Sequence, residues 1–332
     1  GVLSNGRAGL FDLNLLQAQK VLSANAYAGI SADYSEFSIS GEPKEGQTLE
    51  QVSDLLLGQL DLLRKGEFDD WLIEAVVNDF RQRRMRRWGE NNAAGAGAMT
   101  NAFILKQRWS EEVDLYDRMA KITTAELVAF VNARFANNHV GVYKRIGEKQ
   151  NVHKVDKPKI TPIDIKRNTK SAWRTEWDKM PGATMQPEFV DYNTAIQRLP
   201  LKNGVELAYV TNPTNDLFSL RYIVDMGTDH DRELGVATSL LEYLGTSKLK
   251  ATDLQKELFK LGLSLSATTG EDRCYVTLSG LEKNLEKGMD LMEQVLADAQ
   301  PNDEAIKGLV ADIRKSRQDA MKDKNTVLQG GM

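Results

Sequence analysis

Residues 217–246 read LFSLRYIVDMGTDHDRELGVATSLLEYLGT, and two structural periods meet in them. Leu217 to Met226 is dense in aliphatic, aromatic and β-branched residues, the composition of a strand. After Met226-Gly227-Thr228 the pattern changes, and from about Glu233 to Leu244 the apolar residues recur at helical spacing before Gly245-Thr246. Just upstream, Leu199-Pro200-Leu201 runs into Asn203-Gly204, a strong hairpin turn signal, and Val205 to Val210 returns. Downstream, a helix from Thr252 to Leu261 stops at Gly262. Leu263 to Thr268 and Arg273 to Ser279 then predict a strand pair around Gly270-Glu271-Asp272. Amphipathic helices over about Leu281–Ala299 and Asp303–Lys322 follow. Strands in hairpins with helices in pairs predict an α+β fold, a mainly antiparallel sheet packed against helices.

The first part of the chain repeats that mixture. Tyr34 to Ser40 alternates at period two, and residues 41–46 are turn chemistry. Thr48 is a good N-cap for a helix through Leu49, Val52, Leu56, Leu60 and Leu63, and Gly66 ends it. A second helix starts near Asp69 or Asp70 and runs through Phe80; further helical patterns occupy Ala93–Gln107 and Thr124–Phe135. His139 to Arg145 alternates again and predicts a strand returning to the sheet. From Gly147 to about Pro187 periodicity is lost among Pro158, Pro162, Pro181, Pro187 and many lysines, as in a semi-rigid connector. The expected organisation is therefore two α+β subdomains, 1–146 and 190–332, joined by a linker at 147–189.

The 332 residues suffice for more than one core, and 41% hydrophobic with 27% charged is an ordinary globular balance. Lys plus Arg at 43 against Asp plus Glu at 47 gives net −4, so there is no general attraction to nucleic acid or anionic membrane. A single cysteine, Cys274, excludes an internal disulfide framework, and no apolar run approaches bilayer-spanning length. The start at Gly1 and the stop at Met332 read as those of an excised piece, with an incomplete subdomain expected at each end.

Several short runs together resemble the insulinase or pitrilysin-like M16 zinc peptidases. In the second part they are Asn203-Gly204, Met226-Gly227-Thr228, Gly235-Val236-Ala237, Gly245-Thr246 and Ser266-Ala267-Thr268-Thr269, followed by Asp272 and Tyr275. In the first part they are residues 3–12 (LSNGRAGLFD), 40–46 (SGEPKEG), 68–72 (FDDWL) and 142–145 (VYKR), in the style of the long two-half bacterial members. Active members carry His-x-x-Glu-His on the helix after Gly-x-Ala. Two histidines four apart share one helix face and grip Zn²⁺, the glutamate serves the metal-bound water as base, and a later carboxylate completes the site.

At the matching positions this chain has Thr238, Leu241 and Glu242, with Asp312 near the position of the later ligand. The three histidines, His139, His153 and His230, lie elsewhere. The resemblance thus implies the non-catalytic central region of a zinc metallopeptidase, binding no metal itself and walling a chamber around peptide substrates. Zinc would belong to a catalytic half in the same polypeptide or another subunit, and a bacterial periplasm or envelope is the compartment it suggests. Ser266 to Thr269 are the candidate substrate-binding residues, offering a sheet edge to an extended peptide. The alternative is an M16-fold binding or scaffold protein with no protease activity.

Other features weigh less. Arg81, Arg83, Arg84, Arg86 and Arg87 beside Trp88 admit nucleic-acid stacking or a lining for acidic peptides. A solvated or salt-bridged helix is the plainer expectation, and no nucleic acid is expected as a partner. Ala93 to Ala98 lacks the Gly-Lys-Ser/Thr of a phosphate loop and reads as small residues at a close helix contact. The histidines read as surface residues, and Cys274 as a buried structural thiol.

Overall fold

The computed structural model describes residues 1–136, 138–145, 147, 155–182 and 184–330. It divides into two compact units, Gly1–Gly141 together with Asn212–Met332, and Val142–Thr211. The architecture is α+β, helices with small antiparallel sheets.

The first unit opens with a loop built around one carboxylate. Asp12 is buried, and its Oδ2 accepts from the backbone N–H of Asn5, Gly6, Arg7 and Gly9 at 2.8–3.2 Å. Gly9 is needed there, because a Cβ would lie 2.6 Å from the Leu3 carbonyl oxygen. A π-helical turn, Asp12–Gln17, leads into β1 (Ser23–Gly29), which pairs antiparallel with β2 (Glu36–Glu42). β1 is absent from the sequence reading because SANAYAG has no β-branched residue. β2 matches the expected strand, although Tyr34 stands outside it and is exposed.

α1 (Leu49–Lys65) begins on a full capping box, Thr48 with Gln51, and ends on left-handed Gly66 at φ +74°. Its Val52, Leu56, Leu60 and Leu63 face Phe11, Leu15 and Val131 in the first core. α2 (Trp71–Glu90), α3 (Ala94–Ile104), α4 (Trp109–Val113), α5 (Leu115–Met119) and α6 (Thr124–Arg134) complete this part. The strand expected over His139–Arg145 is not formed: residues 138–145 have no regular structure and are exposed. Alternation alone does not make a strand when no sheet edge accepts its backbone groups. The small-residue reading of Ala93–Ala98 also needs correcting. A Cβ at Gly95 would meet nothing within 4 Å, and one at Gly97 only a guanidinium nitrogen of Arg87 at 3.7 Å.

The rest of this unit is a three-stranded sheet of order β5-β7-β6, from β5 (Leu217–Val224), β6 (Leu263–Thr269) and β7 (Cys274–Leu281). Between β5 and β6 lie α9 (Leu234–Leu240) and α10 (Ala251–Lys260), numbered after two short helices of the other unit. After β7 come α11 (Leu285–Ala297), α12 (Asp303–Ala320) and α13 (Lys324–Gly330). Leu254, Leu258, Leu263, Leu278 and Met292 make its core. Phe259 of α10 joins Leu72, Ala75 and Val76 of α2 in a third cluster, so the two parts of this unit share apolar packing. Ion pairs and hydrogen bonds flank that seam: Lys256 to Asp69 at 2.8 Å, and Arg7 Nη1 to the Leu263 carbonyl at 2.8 Å.

The second unit contains α7 (Ala172–Trp177), α8 (Tyr192–Ala195) and a hairpin of β3 (Gln197–Pro200) with β4 (Glu206–Tyr209), turning at Gly204 with φ +77°. α7 lies in the stretch read as a bare connector. Ser171 caps it, Trp173 stacks on Trp177 at 5.4 Å, and Lys170 and Arg174 both reach Asp178. Nearly all of this unit's described side chains are exposed.

Candidate functional site

The glycines of residues 217–246 have steric causes. A Cβ at Gly227 would sit 2.3 Å from the Glu271 carbonyl oxygen, so only glycine lets the end of β5 pass the β6–β7 turn. Thr228 and Asp229 then donate backbone N–H groups to the carbonyls of Gly270 and Glu271. At Gly245 a Cβ would lie 2.4 Å from the Leu249 carbonyl oxygen. Thr246 is buried, and its Oγ1 accepts from the N–H of Lys248 and Leu249. Gly245-Thr246 is thus part of a tightly packed turn between α9 and α10.

α9 is shorter than the periodicity implies. It stops at Leu240, and Leu241–Tyr243 continue as a 3₁₀ turn. Thr238 is therefore on the α-helix while Leu241 and Glu242 are on a tighter turn, where side chains rotate about 120° per residue rather than 100°. Thr238 Oγ1 lies 2.8 Å from Thr269 Oγ1 and 3.0 Å from the Leu234 carbonyl. Thr269 Oγ1 in turn donates toward the Leu234 carbonyl at 3.2 Å, and Cys274 Sγ donates to Thr269 Oγ1 at 3.4 Å. This polar chain ties α9 to β6 and accounts for the buried thiol.

Thr238, Leu241 and Glu242 share one cavity of about 270 Å³ with Ser266, Ala267 and Leu265 of β6. The structure thus brings together two groups of residues that the sequence places about 25 positions apart. Among the described residues β6 is the outer strand of its sheet, paired on one side only, with Ser266 opposite Thr277 and Thr268 opposite Tyr275. Ser266 and Thr268 are exposed, whereas Thr269 is spent on α9. Asp312 does not line this cavity. It pairs with Lys44 of the turn after β2 at 3.0 Å, and Lys44 also donates to the Gln19 carbonyl. Gln17 donates to the Glu242 carbonyl at 2.8 Å, so the 3₁₀ turn is held from the first part of the chain.

Burial raises the Glu242 carboxyl above its ordinary range, and a hydrogen bond with Tyr243 opposes that rise. Tyr243 is pushed up to about 12 by burial and by Glu242. A raised carboxyl makes the folded state bind a proton more readily than the unfolded one. Its contribution is therefore fully present below the unfolded carboxylate range and is lost as pH rises through the folded value. Glu242→Gln is expected to raise the melting temperature at pH 7. That gain should shrink as pH falls into the carboxylate range, read by thermal scans at pH 7 and pH 4. A gain independent of pH would contradict it.

The donor chemistry at these positions does not fit a zinc ion. Thr238 has committed its hydroxyl, Leu241 offers no donor, Glu242 is a single carboxylate hydrogen-bonded with Tyr243, and Asp312 is paired with Lys44. Among the described residues no three of His, Cys, Asp and Glu converge. His230 Nδ1 accepts from the Gly227 N–H at 3.2 Å, His139 is exposed, and His153 lies outside the described residues.

Three of the five arginines of the run are engaged by partners within the chain. Arg81 pairs with Asp117 and Arg83 with Asp79, while Arg84 stacks on Trp88 and Tyr116 and donates to the Glu112 carbonyl.

Residues 206–330 match the family model described as insulinase (peptidase family M16). Among solved structures, the periplasmic protease PqqL from Escherichia coli is similar at 13% identity and TM-score 0.34, over 94% of this chain and 37% of that one. A protease from Helicobacter pylori is similar at 20% identity and TM-score 0.34, over 38% of this chain and 32% of that one. The ferredoxin protease FusC, in complex with Arabidopsis ferredoxin, is similar at 11% identity and TM-score 0.37, over 92% of this chain and 37% of that one. The chain thus spans about a third of the length of these structures. A comparison with curated proteins gives no match.

Proposed function

We propose, from the match of residues 206–330 to the insulinase (peptidase family M16) model, that this chain is a non-catalytic portion of an M16-type zinc metalloendopeptidase. It forms part of the chamber that encloses peptide substrates, and proteolysis depends on a zinc site outside it. In this reading residues 1–146 end one half, 147–189 link the halves, and 190–332 begin the other. The observation that carries the reading is the state of the degenerate motif. The helix and edge strand remain, but Thr238 is bonded into Thr269, Leu241 and Glu242 leave the α-helix, and Asp312 pairs with Lys44. What this chain contributes is a surface: the open edge of β6 at Ser266–Thr269 offers backbone groups to an extended peptide.

The test is metal analysis of the purified chain together with cleavage of a fluorogenic peptide. The expected result is zinc well below one equivalent and no hydrolysis; stoichiometric zinc with hydrolysis overturns the proposal. The anchoring of the 3₁₀ turn by Gln17, and of Asp312 by Lys44, also suits an M16-fold scaffold without protease activity. Coding sequence upstream of Gly1 separates the readings: a His-x-x-Glu-His pattern there supports the peptidase, and its absence supports the scaffold.

A further inference from the structure

Of the described residues that line the 270 Å³ cavity between α9, the 3₁₀ turn and β6, Glu242 alone is charged. Among the described residues no cation acts on it; its carboxyl is partly withdrawn from water and meets the Tyr243 hydroxyl. A carboxylate in that state gains from a cation that arrives with a ligand. It has room for one, because two carboxylate oxygens offer about four acceptor positions. Leu241, Leu254 and Leu265 give the cavity apolar walls, and Gln255 adds an amide.

The open edge of β6 gives such a cation a way in. Side chains alternate along a strand, so Leu265, Ala267 and Thr269 share one face. That face is the helix side, because Leu265 packs on the core with Leu254 and Leu258 of α10, and Thr269 bonds to Thr238 of α9. Leu265 and Ala267 line the cavity. A peptide strand added along β6 places every second side chain on that same face, beside the cavity. A long cationic side chain suits the space: its stem lies on the leucines and its charged head meets the carboxylate. We infer that the cavity is a specificity pocket for a lysine or arginine side chain of an extended peptide paired along β6, with Glu242 as the counter-charge. This rests on the β6-edge reading proposed above and adds the side-chain class that the edge selects. An aliphatic side chain there leaves the carboxylate without a partner, and an acidic one is repelled.

The experiment uses the 332-residue chain and fluorescein-labelled nine-residue peptides of strand-forming sequence, read by anisotropy. Three peptides differ only at the central residue, which is Lys, norleucine or Glu. The lysine peptide is expected to bind about tenfold more tightly than the norleucine peptide, and the glutamate peptide most weakly. Glu242→Gln should weaken the lysine peptide about tenfold and leave the norleucine peptide within about twofold. Glu74→Gln, which removes an equal charge outside the cavity, should change neither. Glu242→Lys should reverse the order, so that the glutamate peptide binds best. Equal affinities for the three peptides in the parent chain overturn the inference and leave the edge reading standing. So does a lysine preference that survives Glu242→Gln. N-methylation of alternate peptide backbone nitrogens, in both registers, tests the edge itself. Binding of none of the peptides, or binding indifferent to N-methylation, overturns the edge reading and this inference with it.

Discussion

Replacing Asp12 with alanine is expected to destabilise the chain by about 4 kcal/mol, since hydrogen bonds to a charged group contribute about 1.5–3 kcal/mol each and stranded buried donors add to the loss. One oxygen of this carboxylate accepts four backbone N–H groups from residues 5–9. The loop it organises supplies Leu3, Leu10 and Phe11 to the first core and sends Arg7 to the Leu263 carbonyl. Asp12→Asn keeps the shape and one acceptor but removes the charge, so it should lose about half as much. Urea titration followed by circular dichroism measures both. An alanine variant within 1 kcal/mol of the parent, a threshold set by ordinary surface substitutions, would show that the loop does not depend on this residue.

The second large effect is expected at Gly280. It pairs with Phe218 on one side of β7 and with Leu263 on the other, at φ +150°. A Cβ there would lie 2.2 Å from the Gly262 carbonyl oxygen, a backbone atom that cannot rotate away. Gly262 is itself left-handed at φ +65° and terminates α10, so relieving the clash displaces the α10–β6 connection. Backbone strain of about 1–3 kcal/mol plus overpacking of similar size puts Gly280→Ala at a loss of about 3 kcal/mol or more. Gly95 provides the contrast. It lies in α3 with nothing within 4 Å of a Cβ, and Gly95→Ala should be neutral or stabilising by up to about 1 kcal/mol. Thermal unfolding of the two variants side by side tests the pair; similar melting temperatures would contradict it.

Much of the local structure is legible in the sequence because its causes are local. Thr48 and Gly66 bound α1 through a capping box and a left-handed C-cap, each a matter of a few neighbouring residues. Asn203-Gly204 turns the β3–β4 hairpin, and Gly262 ends α10, for similar reasons. Where the sequence reading fails, the deciding partner lies far along the chain. β1 has weak strand composition and forms because β2 supplies its hydrogen bonds. Residues 138–145 alternate well but meet no receptive edge.

The candidate site divides in the same way. Residue types alone show that Thr238, Leu241, Glu242 and Asp312 cannot by themselves assemble a zinc site, since donor chemistry is a property of the side chain. The sequence also determines the α+β class, through periods of 2 and 3.6 that each need a second layer to bury one face. Only the tertiary structure decides what these side chains do. It bonds Thr238 to Thr269 across 31 residues, turns Leu241–Tyr243 into a 3₁₀ turn held by Gln17, and pairs Asp312 with Lys44. A hydroxyl or a carboxylate accepts any suitably placed donor. Its partner is therefore fixed by the packing of elements distant in sequence, which no local pattern encodes.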